Sequence, residues 1–192
     1  MRCAFCATGQ MGFSRQLTST EIFEQVLLFY NDVKRTDKRI SNVVMMGMGE
    51  PLANYDNVLE AIRRMNVELG IGARHITVST VGLVPKIYAL ADEDIQVNLA
   101  VSLHQTLDEK RSALMPVNKR FPIAALMDAC RHYIEKTNRR VSFEWALIRG
   151  QTDSSDTAHQ LGVLLSGMLC HVNLIPLNPT VGFNGTATEE VG

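Results

Sequence analysis

Cys3 and Cys6 stand two residues apart in Met1-Arg2-Cys3-Ala4-Phe5-Cys6, a spacing that suits a redox dithiol, half of a zinc site, or two ligands of an iron-sulfur cluster. The spacing alone does not choose among these, so the surroundings must. Elsewhere, carboxylate, hydroxyl, imidazole and amide groups recur in short motifs: Gly49-Glu50-Pro51, Ser79-Thr80, Ser102-Leu103-His104 and Asn178-Pro179. Side chains of these types, brought together, orient a polar ligand through directed hydrogen bonds. Gly47-Met48-Gly49 is not a dinucleotide-binding loop, because Leu52 occupies the place of the third glycine.

These motifs fall at the ends of predicted strands. Thr18-Ser19-Thr20-Glu21 fits a capping box, and Ile22, Phe23, Val26, Leu27, Tyr30 and Val33 follow at helical spacing, predicting a helix from about Thr20 to Lys34. Asn42-Val43-Val44-Met45-Met46 reads as a strand buried on both faces. A second helix carries Val58, Leu59, Ile62, Met65 and Leu69, with Gly70 as its stop. The strand His75 to Ser79 precedes a short helix opened by Pro85, and Ile95 to Leu103 alternates apolar with polar residues as a strand does. Pro122 suits the first position of a helix bearing Leu126, Ala129, Cys130, Tyr133 and Ile134. Val141 to Leu147 alternates again, Asp153 or Ser154 caps a last helix, and His171 to Leu177 is the last strand.

Strands alternating with helices predict an α/β fold with a mostly parallel sheet. The alternation fits a doubly wound sheet or a partial barrel. Polar residues on strand faces, Asn98, Ser102, Glu144 and Asn173 among them, favour the barrel, with a ligand at its C-terminal rim.

With 192 residues, 46% of them hydrophobic, the chain is long enough to bury a core, and 19 basic against 20 acidic residues leave no overall field for a nucleic acid. An RNA contact would rest on local patches such as Lys34-Arg35, Lys38-Arg39, Lys119-Arg120 and Arg139-Arg140, which otherwise read as solvated surface. Four cysteines do not make a disulfide framework, and no apolar run reaches the roughly 18 residues of a membrane span. The chain is expected in a reducing cytoplasm or organelle interior, away from membranes.

Taken in order, Cys3-Ala4-Phe5-Cys6, the run Asn42 to Leu52, Val78-Ser79-Thr80, Ser102-Leu103-His104, Pro116-Val117-Asn118-Lys119 and Asn173 to Pro179 resemble the radical S-adenosylmethionine enzymes that methylate adenine C2 in 23S ribosomal RNA and transfer RNA. The resemblance implies a partial (β/α) barrel, a 4Fe-4S cluster and S-adenosylmethionine as cofactors. It implies Cys3 and Cys6 as two of three cluster ligands, and Gly49, Glu50, Ser79, Ser102, Leu103, His104 and Asn178 at the S-adenosylmethionine site, Glu50 pairing with the ammonium group. It also implies an electron donor such as flavodoxin or ferredoxin.

On this comparison residues 1–192 form a core domain. The first barrel strand, the first cluster cysteine and an accessory region are expected before Met1, and the methyl-carrying cysteine beyond Gly192. No catalytic residue is therefore expected within the chain, and neither Cys130 nor Cys170 is promoted to that role. Three other readings stay open: a related adenine C8 methyltransferase, a noncatalytic protein that binds S-adenosylmethionine or RNA, and a thioredoxin-like oxidoreductase. The last leaves the strand-end motifs unexplained.

Overall fold

The computed structural model describes residues 1–36 and 38–189. Five strands form one sheet in the order β1 (Val43–Met45), β2 (Ile76–Thr80), β3 (Asn98–Ser102), β4 (Val141–Leu147) and β5 (Cys170–Pro176), every neighbouring pair parallel. Strand order follows chain order. A doubly wound sheet reverses its order at a switch point, so the structure selects the partial barrel from the two architectures that alternation allowed.

The helices supply the crossovers: α1 (Ala7–Met11) and α2 (Ser19–Lys34) precede β1, and α3 (Tyr55–Glu68), α4 (Val84–Ala91), α5 (Asp108–Leu114), α6 (Ile123–Thr137) and α7 (Ser155–Leu164) separate the strands that follow. Short 3-10 turns lie at Pro51–Asn54, Ala73–His75 and Pro116–Lys119. The capping box that opens α2 is present in full: the Thr18 hydroxyl accepts from the Glu21 amide at 3.2 Å, and the Glu21 carboxylate accepts from the Thr18 amide at 2.9 Å. Ser154 rather than Asp153 caps α7, accepting from the Thr157 amide at 3.2 Å.

Strand alternation divides the sheet into two faces. Toward the helices, Ile76, Val78, Leu99, Val101, Val141, Phe143 and Trp145 join α3, α4 and α6 in the main core. The other face carries Thr77, Ser79, Asn98, Ala100, Ser102, Ser142, Glu144 and Asn173. Register places Ser102, Glu144 and Asn173 side by side across β3, β4 and β5, and the Asn173 amide donates to the Glu144 carboxylate at 2.8 Å.

Several expectations need correction. Val44 and Met46 are 52% and 51% exposed, and Val43 and Met45 on the opposite face are half-buried against the core, so β1 is covered on one face only. Among the described residues β1 is an edge strand, with no neighbour to cover its other side. β3 begins at Asn98 rather than Ile95, because its ladder with β2 starts at the Thr77 and Asn98 pair. Pro122 caps α6 from the extended region and the helix begins one residue later. Helices α1 and α5 were not foreseen.

Candidate functional site

The C-terminal ends of β1, β2 and β3 and the cysteine loop enclose a cavity of about 120 Å³. Of the residues expected at the site, Cys3, Cys6, Gly49, Glu50, Ser79, Ser102 and His104 all line it. Leu103 and Asn178 do not. Leu103 is buried in the core, and its backbone is engaged by Glu144, Gln105 and Arg111, while Asn178 is an exposed residue just past β5. Thr80, of the Ser79-Thr80 motif, lines the cavity too, and Phe5, Val81 and Met115, which the sequence does not mark as site residues, complete the lining beside the end of β1. A larger groove of about 290 Å³ runs along β1 and shares Met45, Met46, Gly47, Gly49, Glu50 and Pro51 with this cavity. The thiols, the imidazole and both serine hydroxyls lie in the smaller one, which is therefore where the chemistry concentrates.

Glu50 ties two strand ends together. Its Oε1 accepts from the Leu52 amide at 3.0 Å, and its Oε2 accepts from the Val81 amide at 2.8 Å. Burial pushes its carboxyl pKa up, opposed by the bonds from Val81, Thr80 and Leu52. A carboxylate offers about four acceptor positions, so with these three bonds made it retains capacity for a further donor.

His104 closes the end of β3 in the left-handed region, at φ 58°. Its Nδ1 accepts from the Ala146 amide at 2.9 Å, which puts the ring proton on Nε2. Burial, with the Arg111 charge adding to it, pushes the imidazole down to about 3. At neutral pH it is therefore an uncharged ring, held edge-on by Phe5 with centroids 4.9 Å apart.

The cysteine loop is anchored from two sides. The Ala4 amide donates to the Leu114 carbonyl at 2.8 Å, and Cys3 packs with Leu114, Met115, Ala146, Ile148 and Leu177 in a second apolar cluster. The chain after β5 also folds over the loop: Phe183 meets Phe5 at 6.4 Å, and the Gln10 side chain bonds Thr180 and the Gly182 amide. Burial first, then Cys6, raises the Cys3 thiol pKa. Two soft thiols facing one partly dry cavity suit iron or another thiophilic metal. Cys3 and Cys6 fit as two ligands of such a group, and among the described residues they are not part of a set of three or more His, Cys, Asp or Glu that could hold a metal.

Cys130 lies in the α6 core, where burial takes its thiol up to about 12, and Cys170 begins β5. Among the basic pairs, Lys119-Arg120 sits on the rim side, between α5 and α6. Lys34 ends α2 and Arg35 caps it, Lys38-Arg39 lies between α2 and β1, and Arg139-Arg140 precedes β4, at the opposite end of the sheet. No described helix is long and apolar enough to cross a membrane.

Comparison with known proteins places this geometry in a lineage. A family profile described as the Radical SAM superfamily matches residues 1–161. The chain is 53% identical over 187 residues to the Dual-specificity RNA methyltransferase RlmN 1 of Myxococcus xanthus, covering 96% of this chain and 52% of that protein. A crystal structure of a radical SAM methyltransferase from Sphaerobacter thermophilus superposes with a TM-score of 0.95 at 49% identity, covering 98% of this chain and 56% of that one. Streptococcus suis SuiB bound to S-adenosylmethionine, at 14% identity and a TM-score of 0.69, shares the fold. The chain spans about half the length of the curated relatives it matches.

Proposed function

The chain belongs to the Radical SAM superfamily, and on that premise we propose that residues 1–192 are the core of a radical S-adenosylmethionine RNA methyltransferase that modifies adenine C2 in 23S ribosomal RNA and transfer RNA. The observation that carries the reading is the cavity in which Cys3, Cys6, Glu50, Ser79, Ser102 and His104 converge. The identity to the Myxococcus xanthus RNA methyltransferase supports the substrate class.

In this reading Cys3 and Cys6 would serve as two ligands of a 4Fe-4S cluster, which when bound would supply the electron for cleavage of the S-adenosylmethionine sulfonium. The chain's own residues bind and orient that cofactor. Glu50 accepts the ammonium group at the acceptor position left free by Leu52, Val81 and Thr80. Ser79 and Ser102 offer hydroxyls, and His104 offers a neutral Nε2–H donor whose orientation is fixed by the Ala146 amide. Leu103 and Asn178 stand outside the cavity and are assigned no contact in this reading. Phe5, Met115 and the Leu114 cluster exclude water on the cysteine side, which suppresses side reactions of a reactive intermediate. The electron comes from a soluble donor such as flavodoxin or ferredoxin, and the reaction takes place in the cytoplasm.

The experiment is a digest of 23S and transfer RNA from cells with the gene deleted, analysed by mass spectrometry for 2-methyladenosine. Loss of that nucleoside, restored by the wild-type gene and not by Cys6→Ala, is the expected result. Unchanged 2-methyladenosine with loss of a C8 methyl group would transfer the assignment to the related C8 chemistry.

A further inference from the structure

A buried cation lies behind the wall of the rim cavity. Arg111, on α5, has 0% of its surface exposed. Its four hydrogen-bond partners are neutral oxygens: Nε donates to the Leu103 carbonyl at 3.0 Å, Nη2 to the carbonyls of Val81 and Ser102 at 2.8 and 2.9 Å, and Nη1 to the Asn118 side chain at 2.9 Å. The carboxylates in the network stand one residue further out, Glu50 behind Val81 and Asp108 behind Asn118. Asn118 donates to Asp108 Oδ1 at 2.9 Å, and Asp108 Oδ1 also accepts from the Ile123 amide at 2.8 Å. The motif Pro116-Val117-Asn118-Lys119 thus acquires a role: Asn118 is a neutral spacer between a cation and an anion.

A buried charge without a direct counter-ion costs several kcal/mol, whereas neutral donors could satisfy the same carbonyls. Its position indicates what offsets the cost. Val81 and Ser102, whose carbonyls the guanidinium holds, line the cavity together with Cys3 and Cys6. One turn along α5, the Leu114 carbonyl anchors the Ala4 amide, and the Met115 amide donates to the Arg111 carbonyl at 2.7 Å. The same short helix therefore carries the cation and the anchor of the cysteine loop. Burial lowers the guanidinium to about 10, which leaves it charged at neutral pH.

We propose that Arg111 is a positioning residue for the cysteine loop, and that its fixed positive charge stabilises the reduced, more negative state of the group held by Cys3 and Cys6, with Asn118 keeping the Asp108 carboxylate at one remove. The proposal rests on the iron-sulfur reading above. Uptake of one electron adds a negative charge at the cysteine loop, and a cation across one layer of backbone, in a low dielectric, favours that state.

The test is an EPR-monitored reductive titration with dithionite of the anaerobically reconstituted protein, at the length its host makes it. Wild type is compared with Arg111→Gln, Arg111→Lys and the double variant D108N/N118D, which moves the carboxylate onto the guanidinium without changing net charge. The Gln and double variants are expected to reduce with an equilibrium constant at least tenfold lower, about 59 mV for one electron. The Lys variant keeps the charge and is expected within threefold of wild type, although it loses the fork and melts earlier. Equal potentials in all the proteins, or a common shift of Lys and Gln, would overturn the proposal and leave Arg111 a structural residue. If Arg111→Gln does not fold, D108N/N118D decides alone. A wild-type protein that takes up no iron overturns the iron-sulfur reading itself, before any variant is compared, and this proposal with it.

Discussion

The two faces of the same five strands obey different rules. Toward the helices β2, β3 and β4 present Ile76, Val78, Leu99, Val101, Val141, Phe143 and Trp145, all of them buried. On the other face, one residue away, stand Thr77, Ser79, Asn98, Ser102, Ser142 and Glu144, with Ala100 and Ala146 among them. The first face spends its surface on burial, worth roughly 25 cal/mol per Å² of apolar area. The second gives up that stabilisation to keep hydroxyls, amides and a carboxylate available. The lesson is that stability and chemistry are separated by the pleat of the sheet, so a substitution's consequence depends on which face it meets.

The sharpest test of that separation is Phe143→Ala on the helix side, which should destabilise by about 3–5 kcal/mol through a cavity that packed neighbours cannot fill. Urea denaturation followed by circular dichroism measures it, and a loss under 1 kcal/mol would erase the distinction between faces. Next in size is a pH effect at the rim. His104 titrates near 3 in the folded chain against 6.5 when unfolded. The unfolded chain therefore takes up the proton first, and stability is lost as pH falls below 6.5. Between pH 6.5 and 5 the loss is about 2 kcal/mol. Glu50, whose folded pKa is raised, acts in the opposite sense, so the His104 share is read as the difference from His104→Asn, which tolerates the left-handed backbone and can accept the Ala146 amide. Identical pH slopes for the two proteins would show that the ring is not held neutral.

A smaller effect is expected from Glu50→Gln. One carbonyl oxygen still accepts a backbone amide, but the charge is gone, and affinity for S-adenosylmethionine should fall about tenfold, or 1.4 kcal/mol. Calorimetric titration of the reconstituted protein measures it; unchanged affinity would remove Glu50 from the cofactor site. The smallest effect belongs to Ser142→Ala on the polar face, where stability should move by no more than about 0.5 kcal/mol. A larger loss there would mean that the polar face also carries the fold.

Much of this was legible in the sequence because alternation is a strong signal. The strands around Asn98–Ser102 and Val141–Leu147 and the capping box at Thr18 emerge from pattern alone, and so does the convergence of Glu50, Ser79, Ser102 and His104, since each lies at or shortly past the C-terminal end of a strand. Helix α5 was illegible for a physical reason: its sequence Asp-Glu-Lys-Arg-Ser-Ala-Leu has no apolar stripe, because one of its two buried residues is a charged arginine. The exposure of Val44 and Met46 was hidden because an apolar run does not announce that its strand lies at an edge. Phe5 and Met115 joined the cavity through tertiary packing, for which local sequence gives no sign.

The central claim is that the cavity between the cysteine loop and the ends of β2 and β3 is where S-adenosylmethionine is reductively cleaved. The direct measurement is 5′-deoxyadenosine formed by the anaerobically reconstituted protein with dithionite and S-adenosylmethionine, in wild type and Cys6→Ala. Production by wild type and its loss in Cys6→Ala is the predicted result. Equal production by both proteins, or none from a wild-type protein carrying its full complement of iron, would contradict the account.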